Sequence, residues 1–250
     1  MPLSPTQGST GGGTTVTITG TNLADASAVH FGTTLATITG NTPTSVVVTS
    51  PSGTGTVPVT VTTPGGTSNP LSFFYVAAPF KSSLSPASGP LASGNTVTIN
   101  GTGLSTATAV DFGAVAALPT VVDDSQLTVT APAGTTAGPV GVTVTTAGGA
   151  NNGLTYTYLG TPTVSTLAPD SGPASGGTAV TITGTNLTTT QSVTFGSTLA
   201  AFSVINDSTV SVVTPRTPDG DPGPSNVTVT TSGGVAFLPN GFAYLAAPGI

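Results

Sequence analysis

Few side chains in this sequence could carry chemistry. Its acid–base groups amount to one histidine and eight aspartates, with no glutamate and no cysteine, and its only fixed cations are Lys81 and Arg216. A general base must converge with other polar groups on a reacting atom. His30 stands alone in the run Val29-His30-Phe31, and the corresponding places further along hold Asp111 and Thr194. Unrelated chemistry at equivalent positions predicts a solvent-facing strand residue. The carboxylates of Asp123-Asp124 and of Asp219-Gly220-Asp221 are hard oxygen ligands of the type calcium takes. Neither group has the spacing of a calcium loop, and neither pair recurs elsewhere in the chain, so both are read as turn residues. No catalytic, metal or cofactor site is expected, and the chain is read as non-enzymatic.

Composition narrows the partners. Charged residues make up 4% of the chain and apolar residues 36%, and the net charge is -6. An acidic chain with two cations lacks the electrostatic footprint of a nucleic-acid or anionic-membrane binder. No apolar window approaches the length of a membrane span, so insertion is not expected. Without cysteine there are neither disulfides nor thiolate metal sites. The N-terminus shows no basic and apolar leader. Abundant Thr and Val, with 34 Gly and 22 Pro, favour strands and tight turns over helices.

The elements that must hold these residues are written three times. "LSPTQGSTGGGTTVTITGTNL" (3–23) returns as "LSPASGPLASGNTVTINGTGL" (84–104) and "LAPDSGPASGGTAVTITGTNL" (167–187), at offsets of 81 and 83 residues. "VHFG", "VDFG" and "VTFG" follow, and then three "VTVTT" runs that each end near Gly-Gly. In "TVTITG", Val16 and Ile18 face one way and the threonines the other, which predicts a half-buried strand. Gly20, Gly101 and Gly184 are expected to end that strand at a close turn or a positive φ. Leu23, Leu104 and Leu187 should return to the core, with Phe31, Phe112 and Phe195 as its aromatic anchors. About seven strands in roughly eighty residues, with regular turn signals, read as an immunoglobulin-like sandwich without its disulfide.

The combination "SPxxG…GGxxVTIxGxxL…VxFG", in triplicate, resembles the IPT/TIG family of immunoglobulin-like domains. The resemblance implies an early-set sandwich and a role in binding, spacing or assembly. The fold class expected is therefore all-β, three tandem IPT/TIG-like sandwiches in an elongated array. The domains would be 1–78, with a truncated first strand, 79–160, and 161–250, with an overhang at 246–250. "PRTPDGDPGP" (215–224) is the insertion that lengthens the third repeat, and it is the candidate for a contact special to that domain.

The joints between repeats are regular: Tyr75 precedes Leu84 by nine residues, and Tyr158 precedes Leu167 by nine. Placing a second copy after Ile250 sets its Leu3 nine residues beyond Tyr244, so "PGI" and "MPL" together fill the six places of "PFKSSL". This register predicts a homopolymer. The segment Ala247, Pro248, Gly249 and Ile250 of one subunit would dock on Met1, Pro2 and Leu3 of the next, completing its first domain. An extracellular or cell-surface fibre follows from that reading. Its rival is a monomeric surface adhesion, glycan-binding or spacer module.

Overall fold

The computed structural model describes residues 2–248, and among these every regular element is a strand. The alternation seen in the sequence sets the layers. In Thr15–Thr19, Val16 and Ile18 are fully buried while Thr15 and Thr19 are exposed. A strand with one apolar and one hydroxyl face must cover the first against a second sheet. Each repeat does so with two sheets.

In the first repeat one sheet runs in the order Leu3–Ser4, Thr15–Thr19, Ser45–Thr49, Thr37–Thr42. The other runs Gln7–Ser9, Leu71–Val76, Gly55–Thr63, Ala28–Phe31, Thr34–Leu35. The third repeat copies this with Thr163–Ala168, Ala179–Thr185, Thr209–Val213 and Ala201–Asn206 facing Ser171–Pro173, Gly234–Leu245, Gly223–Thr231, Thr190–Phe195 and Thr198–Leu199. The second repeat has the same order, from Phe80–Ser85 and Thr96–Thr102 to Gly149–Leu159 and Gly138–Thr146. The chain is thus all-β, three immunoglobulin-like sandwiches in tandem. By contact density it divides into two compact units. The first repeat lies in one and the third in the other, and the second contributes to both.

Strands outnumber the seven expected, at ten in the first repeat and nine in each of the others. The leading strand changes sheets partway, a short hairpin strand follows Phe31, Phe112 and Phe195, and in the first repeat Gly66–Thr67 stands apart from Leu71–Val76. Leu3–Ser4 pairs antiparallel with Thr15–Thr19, and then Gln7–Ser9 pairs parallel with Leu71–Val76. The core of the first repeat gathers Val16, Ile18, Leu23, Val29, Phe31 and Phe73, and that of the third gathers Val180, Ile182, Leu187, Val193, Phe195 and Phe242. Phe31 meets Phe73 edge to face at 5.0 Å, and Phe195 meets Phe242 at 5.3 Å. Phe112 is likewise buried. The anchors are where the pattern placed them.

Gly20 ends the strand Thr15–Thr19 as expected, but its two counterparts do not end theirs. Gly101 and Gly184 lie inside Thr96–Thr102 and Ala179–Thr185 instead of ending them. Neither has a positive φ. A Cβ there would strike the backbone carbonyl of Phe80 or of Thr163, so close approach of the neighbouring strand requires glycine. The left-handed residue comes two places later, at Asn22 (φ 59°), Gly103 (φ 72°) and Asn186 (φ 56°).

Candidate functional site

The scarce polar groups are mostly spent on holding loops. Asp124 accepts hydrogen bonds from Ser105 Oγ at 2.8 Å and from the Gly103 amide at 3.0 Å. Those two bonds hold its carboxyl below the usual range. Asp207 does the same work in the third repeat, accepting from Thr188 Oγ1 at 2.8 Å and from the Asn186 amide at 3.2 Å, again with a lowered carboxyl. Asp123 accepts from both the hydroxyl and the amide of Ser125, at 2.7 Å each, and Asn206 accepts from Ser208 in the same way, at 2.9 Å. The carboxylate pair Asp123-Asp124 does not recur, but its turn geometry does, at Asn206-Asp207. An asparagine in one copy hid the correspondence. No cluster of three or more metal-ligating side chains occurs among the described residues. His30 is half-buried on Ala28–Phe31, as Asp111 and Thr194 are on theirs.

Three tyrosines act as latches. Tyr75, Tyr158 and Tyr244 donate to the carbonyls of Pro51, Pro132 and Pro215, each at 2.8 Å. Burial pushes all three phenols up. The sequence marks these tyrosines as equivalent at the joints, and folding brings each to the proline that follows an earlier strand of its repeat. The fourth, Tyr156, is fully buried where the sister repeats carry Phe73 and Phe242. Its hydroxyl accepts from Asn95 Nδ2 at 2.8 Å. Asn95 itself replaces Thr14 and Thr178, so one polar substitution accompanies the other.

Lys81 is the residue the sequence reading passed over. It is only 6% exposed and its Nζ donates to the carbonyl of Val142. Burial pulls the ammonium down to about 8. It pairs with Gly101 as Val164 pairs with Gly184, so the aligned valine was the available signal that this lysine points inward.

The predicted interface residues fall in different settings. Leu3 is buried in the first core and pairs with Ile18, while Pro2 is exposed and accepts from the Thr19 amide at 3.1 Å. Ala247 and Pro248 are exposed beyond the strand Gly234–Leu245. Met1, Gly249 and Ile250 lie outside the described residues. The 215–224 loop is tethered at its start, the Thr217 amide donating to Ala174 O at 3.0 Å. It walls a cavity of about 230 Å³ lined by Phe195, Arg216, Thr217, Asp221, Pro224 and Tyr244 among others.

Two latched sheets per repeat, with a chain switching sheets near its start, make each repeat an immunoglobulin-like sandwich. The IPT/TIG domain matches residues 1–75, 79–158 and 162–244, and the chain belongs to the IPT/TIG family. No curated protein matches the sequence. Among solved structures, the extracellular region of plexin A4, domains 1 to 10, aligns at a TM-score of 0.50 and 21% identity, covering 100% of this chain and 24% of that one. This chain thus spans about a quarter of that region. SGBP-B from a xyloglucan utilization locus in Bacteroides uniformis matches at 20% identity and a TM-score of 0.33, over 66% of this chain and 49% of that one. The Escherichia coli adhesin FdeC matches at 16% and 0.34, over 98% and 96%. At these scores the last two add nothing to the fold assignment. No helix is long and apolar enough to cross a membrane among the described residues.

Proposed function

We propose that this chain is a non-enzymatic module of the cell exterior, three immunoglobulin-like domains that serve adhesion or spacing as a monomer. The observation that carries this reading is how the scarce functional groups are used. Asp123, Asp124 and Asp207 hold turns, and Tyr75, Tyr158 and Tyr244 latch strands. The plexin A4 extracellular region supports it as a precedent for such domains outside the cell. Within the reading, spacing or protein adhesion is favoured over glycan binding. The chain has no Trp, and all four tyrosines are buried, so no Tyr or Trp platform faces a sugar. Proteinase K applied to intact cells making the protein tests the location. Loss of the protein without lysis supports the exterior; protection until lysis overturns it.

A second reading, head-to-tail assembly of copies into a fibre, is favoured by a chain with 4% charged residues, whose copies repel one another little. In this reading Ala247 to Ile250 of one copy dock on Met1, Pro2 and Leu3 of the next. A contact between unlike surfaces propagates as a filament unless its rotation closes a ring. Negative-stain electron microscopy of the concentrated protein decides it, fibres for and isolated particles against.

A further inference from the structure

The last hairpin of the third repeat carries a break in its ladder. Gly223–Thr231 pairs with Gly234–Leu245 from Thr231 and Gly234 as far as Val227 and Leu238, and pairing resumes at Ser225 and Phe242. Pro239, Asn240 and Gly241 therefore stand opposite Asn226 alone, and the strand bulges outward there. Proline suits the bulge because it has no amide to give to a ladder. Asn240 takes the left-handed backbone that asparagine tolerates better than most residues, at φ 52°, and its amide donates to Asn226 Oδ1 at 2.9 Å. Its side chain is exposed and makes no hydrogen bond among the described residues.

Asparagine followed by glycine is a reactive pair. The glycine nitrogen attacks the asparagine Cγ, and glycine has no side chain to hinder the approach. The pair occurs at Asn100, Asn152 and Asn240. Asn100 shows how a fold blocks the attack. It lies within Thr96–Thr102, its Nδ2 donates to Ser83 Oγ at 3.2 Å, and its Oδ1 accepts from Gln126 Nε2 at 3.0 Å. The attacking nitrogen would be the Gly101 amide, which donates to Ser125 O at 2.8 Å. Electrophile and nucleophile are both tied down. At 240 the side chain is untied, and Gly241 stands outside the paired register.

We propose that Asn240 is a site of spontaneous modification in the folded protein, where its side-chain amide is lost and an aspartate or isoaspartate takes its place. A bond forms between Gly241 N and Asn240 Cγ while the bond from Cγ to Nδ2 breaks. Nδ2 leaves as ammonia with the proton of the Gly241 amide. Water then opens the resulting succinimide. Cleavage of its bond to Cγ gives aspartate, and cleavage of its bond to the main-chain carbonyl gives isoaspartate, whose backbone runs through Cβ and Cγ. Either product adds a negative charge to a chain of net charge -6. Isoaspartate also lengthens the backbone by a carbon just ahead of Phe242, which is fully buried and meets Phe195 at 5.3 Å. The modification thus loosens the third repeat with time.

Incubation of the folded protein at mildly alkaline pH, with peptic peptides analysed by tandem mass spectrometry over time, tests it. Fragmentation assigns the mass gain of deamidation to 100, 152 or 240 and separates aspartate from isoaspartate. The same series in urea gives the rate at each site without the fold. In urea Asn100 and Asn240 should react at similar rates. In the folded protein Asn240 should outpace Asn100 about tenfold or more, because Asn100 must first break its cross-strand bonds. Asn240→Gly accepts the left-handed backbone and has no side-chain amide to lose. It should keep its melting temperature through the incubation, while the native protein's falls. Similar rates at 100 and 240 in the folded protein would overturn the site. Complete conversion at 240 with melting unchanged would overturn the loosening and leave the site standing.

Discussion

At the scale of single residues, the latch tyrosines and Lys81 separate what is repeated from what is particular. Each latch joins the last strand of its repeat to a proline carbonyl in a loop that a backbone bond also holds, Gly53 to Thr10, Gly134 to Leu91 or Thr217 to Ala174, so Tyr→Phe at 75, 158 or 244 removes one hydrogen bond and little packing. A loss of about 0.5 to 1.5 kcal/mol per site is expected, read as a shift in urea midpoint with unchanged slope. Lys81 has no counterpart in the other repeats. Its folded value of about 8 lies below the ordinary value near 10.5, so between the two the unfolded chain binds more protons. The stability of the second repeat should therefore rise with pH from about 8 towards about 10.5, as the cost of burying the ammonium is relieved. Lys81→Met should flatten that rise. Paired urea titrations of the two proteins across the range check it, and tyrosine ionisation cancels in the difference.

At the scale of elements, the hairpins keep Gly-Gly in all three repeats, while the turn at Asp123 keeps its geometry at Asn206 with a different residue. Gly148→Val and Gly233→Val put a branched side chain against a backbone carbonyl, and each should cost about 1 to 3 kcal/mol. Gly65→Val, on the same hairpin in the first repeat, should cost nothing measurable in the monomer. Thermal unfolding of the three variants makes the comparison. The acidic turns give a second contrast. Asp124→Ala or Asp207→Ala should lower the melting temperature by freeing the loop that begins at Gly103 or Asn186. Added calcium should leave the native melting curve where it is, and a rise on calcium addition would revive the metal reading set aside for those carboxylates.

At the scale of the whole molecule, the scarcity of cations has a direct consequence for proteolysis. Lys81 and Arg216 are the only residues trypsin can cut after, and Lys81 is buried while Arg216 sits exposed on the 215–224 loop. The folded protein should yield a single nick after Arg216, and cleavage after Lys81 should appear only once the second repeat unfolds. Mass spectrometry of a digestion series taken through the melting range would show the order. Early cleavage after Lys81 would mean that the strand Phe80–Ser85 is not held as the structure has it.

Much of this architecture could be read from the chain alone, because it depends on local patterns repeated three times. Period-two alternation in "VTI", the anchors Phe31, Phe112 and Phe195, and the Gly-Gly turns specify strands, faces and repeat length without knowledge of any partner. What needed the tertiary structure was every relation between residues far apart in sequence. The pairing of Tyr244 with Pro215, the inward turn of Lys81, the equivalence of Asp123-Asp124 with Asn206-Asp207 and the strand change after Ser4 all arise when two sheets close on each other. Gly101 and Gly184 show the limit most directly. Their place in the motif was plain, but the reason for glycine is a neighbouring strand's carbonyl, and no local pattern encodes how closely that strand approaches.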